Sequence, residues 1–184
     1  MAAHELEPGT LLIAPPMLQD PNFRRTVVLL CEHGPEGGFG LILNRPLDLQ
    51  LNEVMEGYLP YDDRVCLGGP VQRNTLHFVH RMEAVHEGVQ LPHGVQWGGR
   101  FETIKAALQQ ETVTAQELRF FIGYAGWSPG QLEDELDADG WILSTATPEL
   151  IFGTDPDTLW RTALRQMGGE YAILANFPDD PRMN

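Results

Sequence analysis

Gly123-Tyr124-Ala125-Gly126-Trp127-Ser128-Pro129-Gly130-Gln131-Leu132-Glu133-Asp134-Glu135-Leu136, closed by Trp141, sets three elements side by side in one short stretch. Leu118 to Tyr124 leads into it as an apolar, aromatic-rich run of strand length bounded by glycine. The spacing predicts a helix starting at Pro129, capped by the Ser128 side chain, with Gln131 at the reciprocal position of a capping box. Such a cap is worth about 1 kcal/mol. Asp137-Ala138-Asp139-Gly140 ends that helix and Trp141-Ile142-Leu143 opens another strand. Trp127 and Trp141 bracket the helix. Large rings so placed pin a helix to a sheet, or line a groove where an edge is exposed.

Outward from this corner the chain is strand-rich. Leu11 to Ala14 reads as a strand stopped by Pro15-Pro16, and Thr26 to Glu32 as one so continuously apolar that both faces should be covered. His33 to Gly38 has the punctuation of a hairpin turn, returning through Phe39 to Leu43. A short helix is expected over Asp48 to Tyr58, with Leu51, Val54 and Met55 inward, then strands at Arg64 to Leu67 and Asn74 to Arg81. A loop-rich stretch follows from Glu83 to Gly99. Phe101, Ile104 and Leu108 share one helix face, and Thr114 to Glu117 has the form of a second capping box. Thr154 or Asp155 caps a last clear helix ending at Gly168-Gly169, and Tyr171 to Leu174 is expected as a final short strand. Strands outnumber helices without alternating with them, which argues for α+β.

The 184 residues suit one domain over 1–184, with loose ends about 1–8 and 178–184. Twelve basic residues against 26 acidic give a net charge of −14, with Lys105 the only lysine. Such a surface repels phosphate backbones over about 8 Å, so direct nucleic-acid binding is disfavoured. The N-terminus has no basic, long-apolar secretory pattern and no run spans a bilayer, so a cytoplasmic protein with no membrane contact is expected. Cys31 and Cys66 lie in apolar runs and read as buried thiols, although their spacing leaves a bridge open.

The chemistry-bearing residues each have a plainer reading. Cys31 and His33, two apart on a strand, should leave one face and could form a thiol–imidazole dyad, but Cys31 ends a buried run. His77 and His80, three apart on a strand, point to opposite faces and cannot share a metal ion. Glu133, Asp134, Glu135, Asp137 and Asp139 read as a solvated face more readily than as a cation site. Gly68-Gly69-Pro70 lacks the lysine of a phosphate loop and suits close backbone packing. Gly126-Trp127-Ser128-Pro129-Gly130 is no nucleophile elbow, because Pro129 has no amide to offer an oxyanion.

The chain resembles the YqgE/AlgH family of uncharacterised bacterial proteins. Leu12-Ile13-Ala14-Pro15, Asp20-Pro21-Asn22-Phe23, Leu30-Cys31-Glu32-His33, Gly40 to Pro46, Gly68-Gly69-Pro70-Val71 and Gly123 to Trp127 with Gly130 to Glu133 carry the resemblance in order. It implies an α+β fold in which a bent, bifurcated mixed β-sheet forms a pseudo-barrel flanked by helices. It implies little about activity: some members are labelled transcriptional regulators without a DNA-binding motif. Gly140 before Trp141, and an end without the glycine-histidine-alanine finish, depart from the family pattern.

The expectation is a non-catalytic binding or regulatory module for a protein or small-molecule partner, with no cofactor and no metal. Its candidate surface is His33, Asn44, Arg45, Trp127, Gln131 and Glu135. Gly68, Gly69, Pro70, Gly123, Gly126, Ser128 and Trp141 serve as structural supports. The alternative is a hydrolase or transferase using Cys31 and His33.

Overall fold

A computed structural model describes residues 6–179. The strands are β1 (Thr10–Ile13), β2 (Val27–Gly34), β3 (Gly37–Ile42) and β4 (Pro46–Gln50), followed by a single helical turn, α1 (Leu51–Val54). β5 (Arg64–Leu67), β6 (Val71–His80), β7 (Val89–Gln90) and β8 (Gln96–Trp97) precede α2 (Phe101–Gln109). β9 (Leu118–Trp127), α3 (Gln131–Asp137), β10 (Ile142–Thr145), α4 (Pro156–Met167) and α5 (Gly169–Leu174) complete the chain. The fold is mixed α+β.

The strands follow the order β10-β1-β2-β3-β9-β6-β8-β7 and branch at β9, which β5 joins in parallel while β4 pairs with β5. The other pairings along the path are antiparallel. Among the described residues no ladder joins β10 to β7, so the sheet does not close. The Gly9 backbone, just before β1, lies against the Pro92 ring, just after β7: an added Cβ would fall 2.2 Å from Cδ.

The alternation of side chains explains the layering. Leu11, Ile13, Val27, Leu29 and Leu41 face one core under α4, while Leu12, Val28, Leu30 and Ile42 face a second under α3. That is why the Thr26 to Glu32 run is apolar throughout. A third core lies between α2 and the branch, around Phe120, Leu118, Ile104 and Leu108.

β9 enters all three cores. Leu118 and Phe120 face the α2 core, Phe121 the α4 core, and Ala125 and Trp127 the α3 core. The parity changes at Gly123, whose φ of 69° interrupts the extended backbone, and the pairing with β6 shifts register there. This interruption is the bend that splits the sheet.

Two local expectations are corrected. The helix expected over Asp48 to Tyr58 is a strand followed by one turn, because Pro46 and Gln50 pair with Cys66 and Arg64. Leu150-Ile151-Phe152 forms a π turn, and Tyr171–Leu174 belongs to α5 rather than to a strand. Asp155 does cap α4, accepting the Asp157 amide at 2.8 Å. Leu6 packs on the α3 core, and the other expected loose end is tied at Asp179. Residues 1–5 and 180–184 lie outside the described residues.

His80 is buried, and its two ring nitrogens have fixed roles. Nδ1 accepts the Met82 amide at 3.1 Å, so Nε2 carries the hydrogen and donates to the Gly98 carbonyl at 2.8 Å. Burial holds its pKa below the ordinary 6.5, with the Gly98 bond opposing, and burial lowers His77 as well. A lowered folded-state pKa means that acid favours the unfolded chain. This stability is complete above about pH 6.5 and is lost as pH falls through the folded-state values. Thermal melts between about pH 8 and about pH 5 are expected to show Tm falling on the acid side. A Tm that is flat or rising there would refute this contribution.

Candidate functional site

The corner between β9, α3 and Trp141 is built around one carboxylate. Trp127 and Trp141 are both buried, so each indole N–H needs an acceptor away from water. Glu135 Oε2 accepts both, at 3.0 Å from Trp127 Nε1 and 2.8 Å from Trp141 Nε1. Its Oε1 accepts Gln131 Nε2 at 2.9 Å, and Gln131 Oε1 in turn accepts the Ser128 amide at 3.0 Å. The Ser128 bond fixes which end of the Gln131 amide faces Glu135. The rings meet edge to face, Trp127 with Trp141 at 6.3 Å and Phe23 with Trp141 at 5.7 Å.

The cap is built differently from the expectation. The Ser128 carbonyl accepts the Gln131 amide at 3.0 Å, closing a turn that delays α3 until Gln131. Gly130, at φ 77°, takes the cap position with no side-chain bond. Only the Gln131 half of the box exists, because Ser128 stands two residues ahead of the cap position at Gly130.

A pocket of about 320 Å³ opens here, walled by Phe23, Trp127, Gln131, Glu135 and Trp141, with Asp20 at its edge. Glu135 Oε2 is filled by two indoles, whereas Oε1 has one amide donor and capacity for another. Gln131 Nε2 has a second N–H to give. The pocket therefore presents an acceptor and a donor side by side over aromatic walls.

Of the six candidate surface residues, the fold gathers Trp127, Gln131 and Glu135. His33 adjoins through α3: its Nε2 stands 2.8 Å from Glu133 Oε1. Asn44 lies elsewhere and spends its side chain on backbone, accepting from Val27 N at 2.9 Å and donating to Arg25 O at 2.8 Å. Arg45 donates to the Arg24 carbonyl at 2.5 Å. The acidic group is likewise not uniformly solvated, since Glu133 and Glu135 both hold partners while Asp134 and Asp139 are exposed. Phe23 and Asp20, not among the candidate site residues, reach the pocket from a loop more than a hundred residues upstream. Their only signal was their place in a family motif.

Cys31 and His33 do not share a face. A β-bulge between Leu30 and Glu32 inserts Cys31 as the extra residue, so the alternation slips by one. The thiol joins the α4 core and its Sγ bonds the Leu29 carbonyl at 3.6 Å, while His33 turns towards α3. Cys31 walls an open cleft of about 600 Å³, but no part of the residue reaches solvent. Burial, aided by Glu32, pushes its pKa well above the ordinary value. Cys66, also free and buried, is pushed up to about 11, chiefly by burial. Alkylation of folded protein at neutral pH is expected to modify Cys31 no faster than global opening allows. Rapid stoichiometric labelling in the folded state would refute this.

His77 and His80 serve separate neighbourhoods: His77 meets Phe39 and Tyr124 edge-on at 5.2 and 5.8 Å, and His80 bonds Gly98. Among the described residues no three His, Cys, Asp or Glu side chains gather as a metal site would need, and no helix is long and apolar enough to cross a membrane.

Comparison with known proteins now decides the family. The AlgH-like family model matches residues 11–172. The chain belongs to the AlgH-like family. A UPF0301 protein of Chlorobium luteolum is 42% identical over 180 residues, covering 97% of this chain and 95% of the relative. One from Cytophaga hutchinsonii is 41% identical over 181 residues, covering 97% and 100%. The solution structure of AlgH from Pseudomonas aeruginosa superposes with a TM-score of 0.74 at 27% identity, over 97% of each chain. A crystal structure from Corynebacterium diphtheriae gives 0.78 at 24% identity, over 96% of this chain and 95% of that one, and supports the AlgH-like fold alone. The bent, branched sheet is thus the architecture of AlgH-like proteins, and the Trp127–Glu135–Trp141 corner sits on its branch strand.

Proposed function

We propose that this AlgH-like protein is a non-catalytic binding module, regulatory in role, that docks a partner's flat amide- or amine-bearing group at the α3 corner. The observation that carries the reading is the donor–acceptor pair of Gln131 and Glu135, held still over two indoles. A pocket fixed in advance loses little entropy when it is filled. Its ligand chemistry follows from what is left unsatisfied, one acceptor direction on Glu135 and one donor on Gln131. The aromatic walls take an apolar ring, and the nearby Asp20 and the net charge of −14 favour a neutral or cationic group. The same charge disfavours direct DNA contact, and two buried free thiols suit a reducing, cytoplasmic setting. The Cys31/His33 enzyme reading loses support because the bulge separates its two members.

The test is a titration with benzamidine and benzamide, followed by NMR of the ¹⁵N-labelled chain. Millimolar benzamidine or benzamide is expected to shift the Trp127 and Trp141 indole signals and the Gln131 side-chain amide together. Shifts confined to other regions, or none at all, would overturn the assignment.

A further inference from the structure

The protein is strongly acidic, yet four of its 12 basic residues converge at one place, on the loop that also sends Asp20 and Phe23 to the α3 corner. Arg24 and Arg25 come from the loop between β1 and β2, Arg45 from the loop after β3, and Arg161 from α4. Trp160 is their platform. Its indole N–H donates to the Ala14 carbonyl at 2.8 Å, and the Arg25 and Arg161 guanidinium carbons stand 4.3 and 5.9 Å from the ring centre. Arg24, Arg25 and Arg45, with Pro21 and Asp179, line a cleft of about 400 Å³.

The chain's own C-terminal segment reaches this cleft. Arg25 donates to the Phe177 carbonyl at 2.8 Å and to that of Pro178, Arg24 to that of Asp179, and Arg161 to that of Ala175. The Asp179 carboxylate lies 3.1 Å from both Arg25 Nη1 and Arg161 Nη2. The compensation is nevertheless incomplete. Arg25 Nη1 is buried and, although within ion-pair distance of Asp179, has no aligned hydrogen-bond acceptor. The Asp179 side chain is 80% exposed, so water screens much of its attraction. Burial is the main cause that lowers the Arg25 and Arg45 pKa values; Asp179 opposes it at Arg25, and neighbouring arginines add to it at both.

We propose that Arg24, Arg25, Arg45 and Arg161 form a binding site for a small phosphate-bearing molecule, with Asp179 as a built-in competitor. Four guanidinium groups meet one described carboxylate, and a di- or trivalent phosphate offers them more charge and more acceptor oxygens than that carboxylate does. The planar fork of arginine suits phosphate oxygens in pairs. A nucleic acid fits less well, because the positive charge is a point on a surface of net charge −14 and not a stripe that tracks a backbone.

The experiment is calorimetric titration of the full chain with sodium pyrophosphate, inorganic phosphate and a short single-stranded oligonucleotide at low salt. It uses wild type, Asp179→Asn and Arg45→Gln. Wild type is expected to bind pyrophosphate, more tightly than phosphate, with an affinity that falls as chloride rises. Asp179→Asn should bind about threefold to fivefold tighter, the scale of a largely exposed ion pair, and Arg45→Gln about tenfold weaker. Asp179→Asn changes an exposed side chain, so it stays informative even if Arg45→Gln fails to fold. No pyrophosphate binding in wild type and Asp179→Asn would overturn the site. So would no tightening in Asp179→Asn, or a preference for the oligonucleotide.

Discussion

Glu135→Ala is expected to lower the unfolding free energy by about 3 kcal/mol, because two buried indole donors lose their shared acceptor at once. Each orphaned buried donor costs about 1–3 kcal/mol, and a lost helix-surface contact to Gln131 adds little. For a chain of this size the expected fall in Tm is about 6–12 °C. Glu135→Gln should cost clearly less, since its amide oxygen can still accept from both indoles while its amino end faces the wrong end of Gln131. Denaturant melts of the two variants check this. Equal losses would mean that the carboxylate matters only as bulk, and no loss in either would mean that the indoles find water.

Gly69→Ala should do at least as much damage by a different route. A Cβ at Gly69 would lie 2.1 Å from both the carbonyl carbon and oxygen of Tyr124 and 2.3 Å from the Ala125 nitrogen. Those are backbone atoms of the strand on which all three cores depend, so no side chain can rotate away. Gly68 and Gly123 meet at the same crossing, where an added Cβ would come within 2.4 Å of the Gly123 carbonyl oxygen and 2.5 Å of the Gly69 carbonyl oxygen respectively. Overpacking costs about 1–3 kcal/mol where neighbours can shift, and more here because β5 would have to part from β9. The expected result is a loss of about 3 kcal/mol or more, or insoluble protein. A melt within about 0.5 kcal/mol of wild type would contradict this crossing.

Much of the fold was legible because apolar alternation is a local signal. β1, β2, β3 and α2 fall where the pattern puts them, and the double-sided apolar run of β2 reported its two covering layers. What the pattern could not show were interruptions of the alternation. The bulge at Cys31 and the left-handed Gly123 each slip parity by one residue, which separates Cys31 from His33 and re-aims Trp127. Asp48 to Gln50 became strand because β5 offered a partner, an interaction that no window of sequence contains. At the candidate site, Trp127, Gln131, Glu135 and Trp141 lie within fifteen residues of one another and could be grouped from sequence. Phe23 reaches the corner, and Arg25 reaches Trp160 and Arg161, only through tertiary packing.

Hydrogen exchange of the two indole N–H groups, followed by NMR in wild type and Glu135→Gln, probes the shared acceptor most directly. Both protons are expected to exchange slowly in wild type and to move together in the variant, since one oxygen holds them. Exchange of either indole at the rate of a solvent-exposed tryptophan, or a response from only one of them, would contradict the corner as described.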